Sequence, residues 1–426
     1  MPIEPLLTSQ GMERASAPGK RIGMITYSAY ESDNRVMRYA EALAARGDRV
    51  DVFSLRKSDG IPVEEFLNGV RVYRIQDRFR KGERSKLDFL VRLLRFLWAA
   101  TRHLAEKEQG QPYHLIHVHN MPDFLVFAAA RARRNGAQVI LDIHDIVPEF
   151  FTSKFKGSQD GFFVRSLRLI ERWSAAFADH IIISNHLWRE RYAARTGSEA
   201  KCSVYINHVD SEIFQPRQQD RGDGKLTVLF PGGLYWHQGV DIAIRAFARV
   251  KAVVPNAEFH IYGDGDAKEA LMDLSRKLGL VESVRFFHPL SAREIARLMA
   301  DADLGVVPKR ADSFGNEAYS TKIMEFMSVG VPVLVSETRI DRYYFDDSVV
   351  RFFPSGDVDA LAAAMTELLT NVAARKELAD RAREYAICNS WDNRKGDYFN
   401  LVDTLCAGGS AIPTAMGSPA SSLTSV

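Results

Sequence analysis

Two glutamates and a lysine in the C-terminal half of the chain could bind a phosphorylated sugar. Glu317 and Glu325 are separated by seven residues, and Lys322 lies between them. Carboxylates accept hydrogen bonds from sugar hydroxyls, whereas a lysine brings a full positive charge to a phosphate. Ser320 is a typical N-cap residue whose hydroxyl can accept a backbone hydrogen bond, so Lys322 falls in the first turn of a predicted helix. The spacing therefore predicts a phosphate beside Lys322, with Glu325 about one turn further along and Glu317 in the preceding loop.

The stretch around these residues, 306–336, is typical of a strand, a loop, a helix and a second strand. Apolar residues recur at helical spacing after Ser320, and Gly330 and Pro332 end the helix before another apolar run. A helix N-terminus carries free N–H groups and positive dipole, which suits an anion. A solvated helix flank would show the same glutamate spacing, so it is the loop and the two strands that favour a ligand site.

The composition indicates a soluble globular protein with more than one domain. The 426 residues are too many for one ordinary core, and 46% are hydrophobic and 26% charged. A net charge of +2 gives no whole-protein case for binding nucleic acid. Three widely spaced cysteines indicate a reducing compartment, and no apolar run is long enough to span a membrane. We therefore expect a cytoplasmic protein, either free or at the inner face of the membrane.

A parallel βαβ unit is predicted near the N-terminus. Residues 21–27 read as a buried strand, helical spacing follows from Arg35, and residues 49–55 read as the next strand. Ligands of such sheets bind beyond the carboxyl ends of the strands. The loop after the first strand therefore makes Asp33, Asn34 and Arg35 candidates for binding an acceptor.

The glutamate pair and the segment MSVGVPVLVS at 327–336 resemble the signature of the family-4 retaining glycosyltransferases of GT-B fold. The similarity extends over about residues 21–405. In that family the first glutamate lies against the donor sugar, the helix N-terminus holds the diphosphate, and the second glutamate binds the ribose. The resemblance implies an α/β fold of two Rossmann-like domains facing across a cleft. It also implies transfer of a sugar from a nucleoside diphosphate sugar to a saccharide or lipid-linked acceptor, without a metal or cofactor, in surface or exopolysaccharide biosynthesis.

The same resemblance assigns the individual site residues. His144, at the end of the predicted strand 138–143, matches the family histidine that reaches the donor sugar, and it joins Glu317 as a catalytic candidate. A histidine merely bonded to a neighbouring carbonyl would fit the sequence as well. The expected donor-binding residues are Gly233, His237, Gln238, His288, Lys309, Asn316, Ser320, Thr321, Lys322 and Glu325.

The glycine loop of the predicted second domain departs from the family. The family presents an arginine and, five residues later, a lysine, both bound to the donor diphosphate, but this chain has Gly233 and Gln238. Each such charge-assisted contact contributes about 1.5–3 kcal/mol. Lys309, Arg310 and Lys322 could supply the charge from the opposite wall. Otherwise the chain handles a different leaving group or has lost activity.

Two other activities remain open. His117 and His119, followed by His144 and Asp145, could form the divalent metal site of a hydrolase, although no further ligand completes it in the sequence. A nucleotide-sugar epimerase on the same two-domain scaffold would convert its donor without any acceptor. We favour transfer because a metal hydrolase would leave the predicted phosphate-binding helix without a function.

A basic apolar helix raises the prospect of a peripheral membrane contact. Residues 87–103 are apolar but include Arg92, Arg95 and Arg102, and a second aromatic and basic stretch follows at 150–163. Packing of the helix on a sheet is the favoured interpretation, and an amphipathic face resting on anionic lipid is the alternative.

The predicted boundaries follow from composition and from the resemblance. They are a flexible leader at 1–20, an acceptor-side domain at 21–214, a hinge at 215–225, a nucleotide-sugar-binding domain at 226–390, a terminal helix crossing back at 391–406, and a disordered tail at 407–426.

Overall fold

The computed structural model describes residues 19–78, 86–148, 161–217 and 222–409. Most of the predicted leader, most of the stretch 150–163, part of the predicted hinge and most of the predicted tail lie outside these residues. The chain divides into two compact units, one within Met1–His119 and Phe127–Val139, the other within Asn120–Val126 and Ile140–Val426. The predicted domain boundaries at 214 and 226 are a different division and stay a prediction.

The first unit is built on a largely parallel sheet. Its strands lie in the order β3-β4-β2-β1-β5, and β3 runs antiparallel to β4. The elements are β1 (Arg21–Ala29), α1 (Asn34–Ala45), β2 (Arg49–Arg56), β3 (Glu64–Leu67), β4 (Val70–Asp77), α2 (Lys86–Lys107), β5 (Leu115–His119) and α3 (Ala130–Arg134). The predicted βαβ unit is confirmed, since β1 and β2 pair in parallel on either side of α1.

The second unit contains two sets of parallel strands. One set is β6 (Gln138–Ile143), β7 (His180–Ile183) and β8 (Cys202–Val204), paired in that order. The other is a six-stranded sheet in the order β11-β10-β9-β12-β13-β14. Its strands are β9 (Leu226–Pro231), β10 (Ala257–Tyr262), β11 (Val284–Phe287), β12 (Leu304–Val307), β13 (Val333–Ser336) and β14 (Arg351–Phe353).

Helices connect these parallel strands, as crossovers between parallel strands require. The helices of the second unit are α4 (Phe162–Phe177), α5 (His186–Thr196), α6 (Val240–Val253), α7 (Lys268–Lys277), α8 (Ala292–Ala300), α9 (Thr321–Ser328), α10 (Arg339–Tyr344), α11 (Val358–Thr370), α12 (Val372–Cys388) and α13 (Trp391–Cys406). Phe230, Phe247 and Phe259 are fully buried in the core of the six-stranded sheet. Because the sheet is parallel, the loops after β9 and β12 leave from one edge.

The last helix, α13, returns to the segment that follows β8. The Trp391 N–H donates to the carbonyl of Val209 (3.1 Å), and the hydroxyl of Tyr205 donates to the carbonyl of Asp397 (3.1 Å). The Tyr398 ring is fully buried and meets the Tyr205 ring edge-on. These contacts tie the C-terminal part of the second unit to its first set of strands.

The helix predicted at 87–103 is longer than expected and buries only one of its faces. Leu93, Phe96 and Leu104 are buried, as packing on a sheet requires. The opposite face exposes Leu94 and Trp98, with Phe89, Leu90 and Val91 also exposed. No helix in the described ranges is both long and apolar enough to cross a bilayer.

Candidate active site

The helix that was predicted to follow Ser320 is α9, and it lies at the centre of the candidate site. Ser320 is the N-cap residue, as predicted, but the prediction that its hydroxyl makes the capping bond is wrong. Its Oγ is buried and has no hydrogen-bond partner among the described residues. Gly330, in the left-handed region at φ +76°, follows the end of the helix. The helix start thus presents backbone N–H groups and one buried hydroxyl without a hydrogen-bond partner, a combination suited to an anion.

Lys322 extends from the first turn of α9 to the glycine loop after β9. Its Nζ lies 3.2 Å from Oε1 of Gln238 and 5.6 Å from the centre of the Phe230 ring. A Cβ atom at Gly232 would overlap Cε of Lys322, so that glycine makes room for the lysine chain. Burial lowers the pKa of Lys322, an effect only partly opposed by the nearby carboxylate of Glu325.

The place where the family carries an arginine is occupied by an aromatic ring. A Cβ atom at Gly233 would lie 2.7 Å from Cε2 of Tyr235, which is closer than real Cβ contacts. Tyr235 therefore folds back over the glycine and takes the space in which an arginine side chain would begin. Gln238, at the family's lysine position, binds Lys322 instead. A positive charge is thus present at this loop, but α9 contributes it.

The other two candidate cations, Lys309 and Arg310, are paired with carboxylates. Lys309 is buried, and its Nζ donates to the carbonyl of Ala318 (2.7 Å) and lies 2.9 Å from Oδ2 of Asp341. Arg310 bonds Oδ2 of Asp241 through Nη2 (2.8 Å). Donor binding by Lys309 stays a prediction, and the structure gives this residue a local role, since it anchors the loop that carries Glu317.

Glu317 is held by two residues that sequence reasoning missed. Both oxygens of its carboxylate pair with the guanidinium of Arg191, at 2.7 Å for Nη1 and Oε2. The side-chain amide of Asn185 donates to the Glu317 carbonyl (3.1 Å). Asn185 caps α5 and Arg191 lies within it, some 126 residues before Glu317 in the sequence. No local pattern could have revealed this contact.

Of the remaining residues predicted to bind the donor, one makes hydrogen bonds within the protein and the others are at least partly accessible to a ligand. Asn316 donates from Nδ2 to the Ala311 carbonyl (2.8 Å) and accepts the Arg339 N–H at Oδ1 (3.0 Å), which joins its loop to α10. His237 is partly buried, and burial lowers its pKa. Thr321 and Glu325 are partly exposed on α9, whereas His288 is exposed just after β11.

His144 is fixed in the second unit through its backbone and its ring. Its N–H donates to Oδ1 of Asn120 (2.8 Å), and its carbonyl accepts from the Ser184 hydroxyl (2.9 Å). Nε2 of its ring lies 3.3 Å from Oδ2 of Asp142, which is fully buried in β6. Asp142 was missed, although its spacing of two residues from His144 along a strand places both on one face.

A buried amide braces this loop further. Nδ2 of Asn120 donates to Oδ1 of Asp123 (2.9 Å) and to the carbonyl of Asp145 (2.8 Å). Burial raises the pKa of Asp123 to about 6. Asn120 thus connects both His144 and Asp145 to one buried residue, so His144 is set in position before any ligand arrives.

The acceptor-side candidates belong to the first unit. Oδ1 of Asp33 accepts the N–H of Val36 (3.3 Å) and caps α1. Arg35 is buried with its guanidinium over the Tyr39 ring. Asn34 is exposed. Their predicted contact with an acceptor stays a prediction.

The structure also shows how the histidines of the alternative metal site pack. His117 and His119, in the first unit, stack with ring centres 4.2 Å apart, and both rings lie against Tyr39. Both residues therefore belong to a buried aromatic cluster. The metal alternative itself stays untested.

Family models match both halves of the chain. The Glycosyl transferase 4-like domain matches residues 32–207, and the Glycosyl transferases group 1 model matches residues 211–386. Two relatives match this chain over most of its length and most of their own. D-inositol 3-phosphate glycosyltransferase of Mycobacterium ulcerans is 28% identical over 84% of this chain and 78% of its own. Phosphatidyl-myo-inositol mannosyltransferase of Mycobacterium leprae is 26% identical over 93% of this chain and 100% of its own.

Solved structures share the fold. Sucrose-phosphate synthase from Thermosynechococcus elongatus has a TM-score of 0.73 at 20% identity, covering 92% of this chain and 100% of its own. HepE of Anabaena, solved in complex with UDP and glucose, has a TM-score of 0.66 at 15% identity, covering 90% and 100%. The architecture is therefore that of the GT-B glycosyltransferases, as predicted. With a glycosyltransferase domain matched in each half, the chain belongs to the family-4 type of these enzymes.

Proposed function

We propose that this glycosyltransferase moves a sugar from a nucleoside diphosphate sugar to a saccharide or lipid-linked acceptor with retention of anomeric configuration. The observation that carries the proposal is the start of α9. There, the buried hydroxyl of Ser320 adjoins the first-turn N–H groups, and the amine of Lys322, from the same turn, lies beside Gln238. A departing diphosphate gathers negative charge, and donors fixed around it stabilise the transition state.

Carboxylates on either side of this position would hold the donor's two sugars. Glu325 lies one turn along α9 and would accept from the ribose hydroxyls. Glu317 would accept from hydroxyls of the transferred sugar, which must then compete with Arg191 for its oxygens. His144 would contact the same sugar, and Asp142 and Asn120 would keep its ring and backbone in place.

The related proteins indicate which donors and acceptors to test first. HepE has been solved with UDP, glucose and UDP-glucose, so UDP-sugars are the first donors to test. The relatives named above act on inositol phosphate or phosphatidyl-myo-inositol, and the structural neighbour WaaG is involved in lipopolysaccharide biosynthesis. We propose an acceptor of the same broad kind, a hydroxyl of a saccharide or glycolipid used in surface polysaccharide assembly.

A transfer assay separates this activity from its alternatives. The protein is incubated with nucleotide sugars alone and with oligosaccharide or lipid-linked acceptors, and released nucleoside diphosphate is measured. Acceptor-dependent release supports transfer, whereas a new sugar nucleotide formed without acceptor indicates epimerisation. Activity abolished by a chelator would favour the metal hydrolase.

A peripheral membrane contact is the second part of the proposal, with α2 as its surface. Leu90, Leu94 and Trp98 recur every four residues on the exposed face, and Arg95 and Arg102 are exposed beside them. Tryptophan and arginine on one amphipathic face suit the interface of an anionic bilayer. Such a contact would place the enzyme at the cytoplasmic face of a membrane.

Vesicle binding tests the membrane contact. We expect the protein to sediment with vesicles of phosphatidylglycerol and phosphatidylcholine but less with phosphatidylcholine alone. The double variant Leu94→Ser, Trp98→Ser should lose this binding, whereas Ile387→Ser, a similarly exposed apolar side chain on α12, should keep it. Equal sedimentation of both variants would exclude α2 as the contact.

A further inference from the structure

The loop that lacks the family's cations instead presents two aromatic side chains to solvent. Tyr235 is 46% exposed and Trp236 is 53% exposed, whereas Leu234 just before them is fully buried. Large aromatic side chains usually bury most of their surface, because water excludes their apolar faces. Two adjacent exposed rings within a candidate active site are therefore accessible to a ligand.

The loop is held rigidly, so the exposure of these rings is built in. The Leu234 N–H donates to the Asp264 carbonyl (2.9 Å), and the Gln238 N–H closes a turn on the Tyr235 carbonyl (2.9 Å). The Arg310 N–H donates to the carbonyl of His237 (2.9 Å). The backbone that carries Tyr235 and Trp236 is therefore held by hydrogen bonds on both sides.

One of the two exposed rings, Tyr235, belongs to a row of three rings with His237 and Phe314. Tyr235 and His237 lie nearly parallel, with an interplanar angle of 6° and centres 5.8 Å apart. His237 in turn meets Phe314 edge-on, with centres 5.4 Å apart. Gly233 leaves space for Tyr235 to fold back, and a Cβ there would push the ring out of the row.

This aromatic row borders the proposed donor position. Gln238 ends the same turn and binds Lys322 at the start of α9. Phe314 lies three residues before Glu317, in the loop that Lys309 anchors. A molecule resting on Tyr235 and Trp236 would therefore lie beside the sugar that Glu317 is proposed to hold.

The chemistry of the surface fits a pyranose ring. One face of a pyranose carries C–H groups and is apolar, whereas its rim carries hydroxyls, so it can rest on an aromatic face while its rim stays hydrated. The donor contacts proposed above involve buried atoms, such as the hydroxyl of Ser320. Half-exposed rings suit instead a ligand that remains open to solvent, as an extended acceptor must.

We infer that Tyr235 and Trp236 form the stacking surface for a pyranose ring of the saccharide acceptor. This inference rests on the proposed transfer reaction and adds to it the chemical class of the group next to the reacting hydroxyl. It also fits the absence of the family's arginine, because an arginine at residue 233 would displace the Tyr235 ring.

Steady-state kinetics with the acceptor found in the transfer assay test the inference. Trp236→Ala and Tyr235→Ala should each raise the KM for acceptor about tenfold, the loss of one aromatic contact, and leave UDP affinity unchanged. Trp236→Phe should keep most of the affinity, and Trp173→Ala, a 58% exposed tryptophan on α4, should change nothing. Weakened UDP binding with an unchanged acceptor KM would overturn the inference, since the rings would then stack on the nucleobase.

A binding measurement keeps this test independent of the reaction. Methyl glycosides of glucose, galactose and mannose are titrated in the presence of UDP while tryptophan fluorescence is followed. We expect at least one to change the emission of the wild type and of Trp173→Phe but not of Trp236→Phe. No Trp236-dependent change with any of the three would overturn the stacking surface, whereas failure of UDP itself to bind would count against the proposed function.

Discussion

At the scale of single residues, Lys322 is the cation that the proposed reaction places beside the diphosphate, in a loop that lacks the two cations of the family. Its chain passes over Gly232, and its amine meets Gln238, the residue at the missing lysine's position. Burial makes this charge costly and lowers the pKa of Lys322. An arriving anion would offset that cost.

The variant Lys322→Met should therefore damage catalysis more than folding. We expect kcat/KM to fall about tenfold to a hundredfold, the range for one charge-assisted contact, because the charge facing the leaving group is lost. Thermal unfolding should stay the same or occur at a higher temperature, since a partly buried ammonium is replaced by an apolar chain. The exposed Lys376→Met on α12 serves as control, and an equal rate for both variants would remove Lys322 from the site.

The lowered pKa of Lys322 also predicts the alkaline side of the pH–rate profile. The amine must be protonated to balance the diphosphate, and it loses its proton at a lower pH than an exposed lysine. Activity should therefore decline as pH rises through that lowered pKa. Lys322→Arg should move the decline to higher pH, because guanidinium stays charged. A decline at the same pH in both proteins would assign it to another group.

Glu325 should contribute to nucleotide binding. Glu325→Ala removes the carboxylate proposed to accept from the ribose hydroxyls, and we expect UDP to bind about tenfold more weakly by calorimetry, as for a lost hydrogen bond to a charged group. The neighbouring Ser328→Ala, at the other end of α9, is the control. Unchanged affinity in Glu325→Ala would refute the ribose contact.

The residues of this site could be predicted from the sequence where they lie close together along the chain. Ser320, Lys322 and Glu325 lie within six consecutive positions, so a helix start and its spacing were enough to group them. Arg191 lies on another helix, and the pairing of Lys309 with Asp341 depends on how α10 packs. Such contacts depend on tertiary packing, which a pattern in one sequence does not encode.

At the scale of elements, buried side chains hold the loop after β6 in position. Asp142→Asn keeps the size of the residue but removes the charge 3.3 Å from the His144 ring. We expect kcat to fall about tenfold while UDP affinity and the unfolding temperature stay near wild type, because the ring loses its orienting partner rather than its anchor at Asn120. A matching loss in UDP affinity would show a general disturbance of the site.

The segment after β5, which braces this loop through Asn120, predicts a pH-dependent stability through Asp123. Its pKa in the folded protein, about 6, lies above the value near 4 of an unfolded chain, so the protonated form favours folding and this contribution is lost as pH rises through about 6. Asp123→Asn keeps Oδ1 for Asn120 without the charge. Its stability relative to wild type should rise between pH 4 and pH 7, by up to about 3 kcal/mol. A difference that is constant across this range in urea unfolding would contradict the prediction.

Strands and helices were predicted well where their apolar patterns were long. The βαβ unit at the N-terminus and the strand–loop–helix–strand order around α9 follow from such patterns. The pair β3 and β4 was missed because β3 spans only Glu64–Leu67 and alternates too briefly to be recognised. The helix α2 is longer than predicted. Apolar residues on its exposed face obscure the helical spacing of the buried ones.

At the scale of the whole molecule, α13 is expected to stabilise the second unit. Tyr398 is fully buried where the helix meets the segment after β8. Tyr398→Ala should lower the free energy of unfolding by about 3–5 kcal/mol, as for other large buried aromatic residues. Lys395→Ala, on the exposed side of the same helix, is the control in urea unfolding. A loss below about 1 kcal/mol would mean that α13 packs only loosely.

The two-domain glycosyltransferase architecture was predicted from a signature of some twenty residues, and the family models confirm it across both halves of the chain. The spacing carries that information because a helix that starts between two apolar strands fixes the order of the strands on either side. Substrate identity is a different matter, since it depends on side chains such as Tyr235 and Trp236 that the signature does not include.

The two neighbouring glycines of the β9 loop also limit how this enzyme can be engineered. With Tyr235 lying over Gly233 and Lys322 lying over Gly232, an arginine introduced at residue 233 would collide with the tyrosine rather than add a second cation beside Lys322. Such a variant would therefore need a smaller residue at position 235 as well, and it would exchange the aromatic ring for the charge.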